Sequence, residues 1–299
     1  MTSLFLMVNS ACNIACKYCF YTTGYEKRSR DRILPRQAGH VAKRIAEARF
    51  GTVILTGGDP LHSVHKKETY LLVSALKAEV LRVVINTSAA YLTERDLDRL
   101  IELAVDRVDI SIDSHDSAVH DAQRGRHSDA VQAICGLLQR GMSLSTTTVV
   151  TARNAPTLTQ TIEWLQGLGI SDIRVQKAFL PGGDLVGHRI VDASLRAAVP
   201  LLQKPHVARY LEQTIRLFRG QGPLSEARCP MGKEYFVCDA QGNLAPCFHR
   251  GDIHLGNLFE DDTACILGAM ESNVLSTDTL PLCVGSPCAS LFDNPSLWR

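Results

Sequence analysis

Apolar runs and polar punctuation alternate along this chain with a steady rhythm as far as Gln176. Residues 4–8 read as a short apolar strand that empties into a polar, cysteine-rich loop. Pro35 suits the first turn of a helix, and Val41, Ile45 and Ala48 follow at helical spacing. Residues 52–56 read as a buried strand stopped by Gly57-Gly58-Asp59-Pro60, and a helix over about 66–79 leads to a strand at 81–86. Thr93 with Asp96 makes a capping-box pattern ahead of a helix carrying Leu97, Leu100, Ile101 and Ala104. A strand at 108–113 ends in a polar loop, and a helix over about 128–140 stops at Gly141. A strand at 144–150, a helix at 158–168 and a sixth strand at 173–176 complete the series.

Strand–helix units repeating at roughly 30 residues predict a parallel sheet with helical crossovers, an α/β fold that is either a barrel or an open sheet. In both, ligands collect on loops at the C-terminal strand ends. The cysteine-rich loop and the Gly57–Pro60 turn both fall there. After Gly220-Gln221-Gly222-Pro223 the rhythm stops, and the short remainder, rich in Gly, Pro and Asp, holds six of the ten Cys. Its charge differs too: from Pro223 onward 4 Lys/Arg stand against 10 Asp/Glu, a net of −6, which leaves +7 on the first 222 residues. A boundary near 222 is expected, with residues 1–222 as the larger domain and 223–299 as a smaller one that calls for a metal to hold it together.

The 299 residues are 45% hydrophobic and 21% charged, which excludes a disordered chain, and the formal charge of +1 points to neither nucleic acid nor anionic membrane. No apolar run approaches the ~20 residues that span a bilayer, and the start lacks the basic and apolar regions of a signal peptide. A cytoplasmic protein is expected. In a reducing compartment, clustered Cys point to metal or catalysis rather than disulfides.

Cys12, Cys16 and Cys19 form a C-x3-C-x2-C run. Three thiolates in eight residues can wrap one metal centre, either zinc with a fourth ligand or an iron–sulfur cluster with one iron left open. The absence of a paired C-x2-C favours the cluster, and an open iron suits chemistry. At this point the sequence resembles the radical S-adenosylmethionine (SAM) superfamily, whose C-x3-C-x2-C loop binds a [4Fe–4S] cluster with SAM chelating the open iron. The resemblance covers most of the chain and implies a partial (β/α)6 TIM-like barrel. It implies that Tyr18, before the third Cys, packs near the adenine. It makes Gly57, Gly58 and Asp59 the second-strand turn that holds the SAM ammonium, with Asp59 one methylene shorter than the commoner Glu. It places Ser111, Asp113 and Arg124 near the SAM carboxylate or ribose, in a segment that also carries His120-Asp121.

Cys229, Gly242 and Cys247, with the phrase Asp239-Ala240-Gln241-Gly242-Asn243-Leu244-Ala245-Pro246-Cys247, read as a hairpin turning at Gln241-Gly242. This resembles the auxiliary-cluster module called SPASM in its long form and Twitch in its short form. Only Cys283-x4-Cys288 follows, which matches the short form, so the implied ligands of a second [4Fe–4S] cluster are Cys229, Cys247, Cys283 and Cys288. A C-terminal zinc site is the alternative. Cys135, Cys238 and Cys265 are expected to be buried thiols.

The resemblance implies reductive cleavage of SAM to a 5′-deoxyadenosyl radical that abstracts hydrogen from a substrate. The auxiliary cluster would aid oxidation or substrate binding, and a flavodoxin- or ferredoxin-type donor would supply the electron. No catalytic base is named: Glu234, Asp239 and His249 lie near the second cluster in sequence but read as surface groups. The chain starts at the first strand without room for a leader-recognition domain, and its end lacks the terminal Gly-Gly of the cyclic-pyranopterin branch. A small substrate of sugar, aminocyclitol or nucleoside type in specialised metabolism is therefore expected. Peptide maturation is the alternative, and a non-enzymatic metal-binding module a remote one.

Overall fold

A computed structural model describes residues 2–19, 32–178, 188–218, 231–248 and 253–272. The strands are β1 (Thr2–Asn9), β2 (Phe50–Gly57), β3 (Arg82–Thr87), β4 (Arg107–Ser111), β5 (Leu144–Val150), β6 (Ile173–Lys177), β7 (Tyr235–Cys238) and β8 (Leu244–Ala245). They form one eight-stranded sheet in the order β6-β5-β4-β3-β2-β1-β7-β8. Strands β1 to β6 are parallel, neighbour to neighbour, as the strand–helix rhythm predicts. The crossovers carry helices α1 (Ala38–Glu47), α2 (Lys66–Ala78), α3 (Glu94–Glu102), α4 (Ser117–Asp121), α5 (His127–Gln139) and α6 (Leu158–Gly167). After β6 come α7 (His188–Ala198) and α8 (Pro205–Phe218), and α9 (Thr263–Ser272) follows the hairpin. No pairing joins β6 to β8, so the barrel is partial.

Strand alternation divides the interior in two. Leu4, Leu6, Val53, Leu55, Val83 and Ile85 pack outward against the helices in the main core. Phe5, Met7, Ile54 and Val84 point the other way, into a second cluster with Tyr235, Val237 and Cys247. β1 is apolar on both faces because it is central and covered twice. The inner face turns polar beyond β3. There Asp109 accepts the hydroxyls of Ser145 and Thr147 at 3.0 and 2.8 Å and pairs with Arg174 at 3.2 Å.

The expected capping box is present: Thr93 Oγ1 accepts from the Asp96 N–H at 3.4 Å, and the Asp96 carboxylate accepts from the Thr93 N–H at 2.8 Å. Ile101 is 39% exposed, and the inward apolar stripe of α3 is Leu97 and Leu100. Five of the six crossover helices, all but α4, share one exit. The residue after each C-cap takes the left-handed conformation at Arg49, Val80, Ala104, Gly141 and Gly169. At four of these ends the next N–H reaches back five residues and a buried apolar residue, Leu81, Val105, Met142 or Ile170, seals the turn.

The predicted hairpin is found, with β7 and β8 antiparallel, but it does not stand apart. β7 adds to β1 in parallel register, Leu4 opposite Phe236 and Leu6 opposite Cys238. The expected small domain therefore shares the sheet and core of the larger one on this side, while the boundary at 222 lies outside the described residues. Asp239 is the turn's organiser, its carboxylate accepting from the Gln241 and Asn243 N–H groups at 3.0 and 2.9 Å. Among the described residues no helix is long and apolar enough to cross a membrane.

Candidate functional site

The loops at the C-terminal ends of β1 to β5 meet above the sheet. The Cys12–Cys19 loop leaves β1 and is laid directly on the turn that ends β2. The Gly58 N–H donates to Asn9 O at 2.9 Å and the Asp59 N–H to Ala11 O at 2.7 Å. These contacts explain both glycines. A Cβ on Gly57 would stand 2.3 Å from Asn9 O, and one on Gly58 2.1 Å from Ala11 O. The glycines permit a close approach of chain on chain. Buried Asn9 adds a side-chain clasp, with Nδ2 donating to Asp59 O and Oδ1 accepting from the Ala11 N–H, both at 3.0 Å.

Asp59 is 2% exposed and turned toward β3. Its Oδ1 accepts from the Leu61 N–H at 2.9 Å and Thr87 Oγ1 at 2.7 Å. Its Oδ2 accepts from the Ser88 N–H at 3.0 Å and from Ser88 Oγ. The carboxylate thus ties the end of β2 to the end of β3.

Asp113, just past β4, is fully buried. Arg124 grips it with Nε at 3.0 Å and Nη2 at 3.3 Å, the Val149 N–H adds a bond at 3.0 Å, and the Tyr18 hydroxyl donates to Oδ2. Burial alone would push this carboxyl up; the Arg124 charge and these hydrogen bonds outweigh it and hold it below the usual carboxylate range. Behind it, His120 Nδ1 accepts from the Asp113 N–H at 3.1 Å, which leaves its proton on Nε2 facing Gly125 O at 3.1 Å. Burial pushes His120 down to about 4, so the ring is neutral. Ser111 is half-buried at the end of β4.

Cys12 is exposed, and Cys16 and Cys19 are half-buried. Protein still surrounds enough of the Cys12 thiol that desolvation pushes it up to about 12, with the Asp59 charge and the sulfurs of Cys16 and Cys19 adding to the rise. Desolvation raises Cys16 as well; Arg124 opposes that rise, while Asp113 and Cys19 add to it. Two neighbouring thiols that resist ionisation, Cys12 and Cys16, with Cys19 beside them in the same loop, are a donor set that suits a cationic centre. The residues present fit an iron–sulfur cluster in that respect. The thiols are not drawn into a single-ion cage, and among the described residues no group of three His, Cys, Asp or Glu is.

At the hairpin, Cys247 is buried on the inner face with Phe5, Met7 and Tyr235. Cys238, one strand position out of phase, is fully buried in the outer core, where burial holds its thiol well above the usual range. Cys135 is half-buried, and Cys265 is exposed on α9, where a buried thiol was expected. Glu234 is half-buried. The remaining expected ligands Cys229, Cys283 and Cys288, and His249, lie outside the described residues.

Sequence patterns missed the asparagines. Asn154, fully buried, donates through Nδ2 to Asp113 O at 2.8 Å and Val149 O at 3.0 Å. The one available signal was an Asn at a strand end, which many solvated loops share.

A parallel half-barrel with a three-cysteine loop at the end of its first strand defines a class, and a profile of the Radical SAM superfamily matches residues 6–165. The chain belongs to the radical SAM superfamily. It is 27% identical over 165 residues to an AdoMet-dependent heme synthase of Oleidesulfovibrio alaskensis, covering 54% of this chain and 42% of that protein. It is 29% identical over 147 residues to a GTP 3′,8-cyclase of Mycobacterium marinum, covering 48% and 40%. The matched part spans about two-fifths of these relatives' length. In fold it is similar to Streptococcus suis SuiB bound to S-adenosylmethionine, with a TM-score of 0.69 at 15% identity over 99% of this chain and 75% of that one. It is also similar to anSMEcpe with bound AdoMet, with a TM-score of 0.68 at 17% identity over 95% and 88%.

Proposed function

We propose that this chain is a radical SAM enzyme that removes hydrogen from a small substrate of sugar, aminocyclitol or nucleoside type in specialised metabolism. Cys12, Cys16 and Cys19 would hold a [4Fe–4S] cluster, which would supply the single electron that splits SAM into methionine and a 5′-deoxyadenosyl radical able to take hydrogen from the substrate. The observation that carries the reading is the cysteine loop itself, laid by main-chain bonds on the β2 turn at the open end of the half-barrel. Strand ends supply what the protein adds: a fixed loop, polar groups around it, and an inner face that is apolar on β7, β1 and β2 and polar on β4 to β6. Positioning of one C–H and exclusion of water are the work of such a site.

A small substrate agrees with the relatives named for heme and GTP chemistry. The likeness to SuiB is one of fold, so peptide maturation stands as the alternative without a separate observation in its favour. We further propose a second [4Fe–4S] cluster on Cys229, Cys247, Cys283 and Cys288, a flavodoxin- or ferredoxin-type electron donor, and a cytoplasmic place of work. The buried, inward-facing Cys247 supports the second cluster.

Anaerobic reconstitution tests this. The wild type is expected to hold about eight irons and to form 5′-deoxyadenosine from SAM on reduction, and the Cys12/Cys16/Cys19 triple Ala variant about four irons and no deoxyadenosine. Absence of deoxyadenosine from a fully loaded wild type would overturn the enzyme reading. About four irons falling to none would remove the second cluster.

A further inference from the structure

The aromatic residue of the cysteine loop is turned into the protein. Tyr18, 8% exposed, packs its ring on Val149 at the end of β5 and Ala178 beyond β6, with Cys16 against the same cluster. Its hydroxyl ends on the Asp113 carboxylate, which Arg124 holds from the far side of α4. The Arg124 guanidinium carbon lies 5.5 Å from the Tyr18 ring centroid. A second tie runs parallel to the first: the Lys17 N–H donates to Gln123 O at 3.0 Å, each residue adjacent to one of that pair.

Asp113 has no freedom to follow a moving loop. Its N–H is held by His120, its carbonyl by Asn154, and its carboxylate by Arg124 and the Val149 N–H. A tyrosine hydroxyl fixed to such a point fixes the main chain between Cys16 and Cys19, which lie two residues before it and one after. The charges balance as well. Arg124 and Asp113 form a buried bidentate pair of no net charge beside Tyr18, and Cys16 packs against the same cluster, so Arg124 presents no uncompensated charge there.

We propose that Asp113 is a positioning residue for the cluster loop: it joins Tyr18 to Arg124, sets where Cys16 and Cys19 stand, and cancels the Arg124 charge beside them. The inference rests on the reading of Cys12, Cys16 and Cys19 as cluster ligands. It gives Tyr18, Asp113 and Arg124 a task within the protein that precedes any contact with SAM.

The test uses the full chain, reconstituted anaerobically and measured without SAM. Tyr18→Phe keeps the ring and loses only the tether. It is expected to take up iron as the wild type does but to lose it to a chelator severalfold faster, with an altered electron paramagnetic resonance signal in the reduced state. Asp113→Asn leaves the Arg124 charge uncancelled near the sulfurs, and the first cluster's midpoint potential is expected to move positive. The double variant Asp113→Asn/Arg124→Gln removes both charges and is expected to return the potential toward the wild-type value, a reversal that mere damage to the fold would not produce. It buries no unpaired charge, so with Tyr18→Phe it decides the matter should Asp113→Asn fail to fold. Wild-type iron loss and spectrum in Tyr18→Phe would overturn the inference, as would an Asp113→Asn potential that stays or moves negative, or a double variant displaced from the wild type. Those results with a loaded wild type sink this inference alone; a wild type that holds no iron sinks the cluster reading with it.

Discussion

Asp59→Asn separates two roles for one carboxylate. In the structure its oxygens accept four hydrogen bonds, from the Leu61 and Ser88 N–H groups and the Thr87 and Ser88 hydroxyls. Asparagine keeps one acceptor, toward Leu61 and Thr87, and sets an amino group where Oδ2 stood. The Ser88 hydroxyl can turn and accept from that group, but the Ser88 N–H then faces a donor. An orphaned buried N–H costs about 1–3 kcal/mol, and the bonds that remain lose their charge assistance. Removal of a buried charge offsets part of this, so the net loss is about 2–3 kcal/mol. Urea unfolding of the metal-free chain under reducing conditions, followed by far-ultraviolet circular dichroism, measures the loss directly. SAM affinity of the reconstituted variant is measured beside it. A variant within about 0.5 kcal/mol of wild type but about tenfold weaker for SAM would refute the reasoning, because the carboxylate would then face the ligand rather than the end of β3.

Arg124→Ala strands the fully buried Asp113 carboxylate without its counter-charge and is expected to cost about 3–5 kcal/mol. Arg124→Lys recovers only part of that because lysine lacks the fork; wild-type stability of the Ala variant in urea would disprove the pairing. His120 has its folded pKa pushed by burial from 6.5 to about 4, with Arg124 and His127 adding to the fall and Asp113 opposing it. The unfolded chain then binds the extra proton first, so stability is full above pH 6.5 and is lost as the pH falls toward 4, by about 3 kcal/mol in all. His120→Asn, neutral throughout, is expected to flatten that part of the pH profile of unfolding, and an unchanged slope would contradict the buried neutral ring. Val80 is a β-branched residue at φ 60°, 92% exposed, in the position after a helix C-cap that suits glycine. Val80→Gly is expected to stabilise by about 0.5–1 kcal/mol, since relief of left-handed strain exceeds the added chain entropy; a lower midpoint in urea would count against it.

What the sequence discloses divides by range. The six strands and five of their crossover helices are local in origin, and apolar spacing with Thr93, Asp96 and Gly141 sufficed to place them; the short α4 falls where the spacing reads as a polar loop. Helix ends at Val80 and Ala104 carry no such mark, because the turn there is closed by a buried Leu81 or Val105 from the tertiary core rather than by a glycine. The parallel addition of β7 to β1 joins Leu6 to Cys238 across most of the chain, and no local pattern reports it. The same limit applies to the site. The cysteine spacing, Tyr18, Asp59, Asp113 and Arg124 stand out in sequence, yet sequence supplies only which residues gather at the strand ends and not which of them face one another. Folding brings acids and donors from five successive strand ends into one small volume, where a buried carboxylate must find partners in the protein or cost several kcal/mol. Asp59 finds Thr87 and Ser88; Asp113 finds Tyr18, Arg124 and the Val149 N–H. A half-barrel that must hold three thiols at fixed positions above an open end gains rigidity from such pairs before any cofactor arrives. The residues most readily read as ligand contacts are then also the ones whose loss would loosen the loop. Stability and ligand affinity must therefore be measured on the same variants before any of these residues is assigned to SAM.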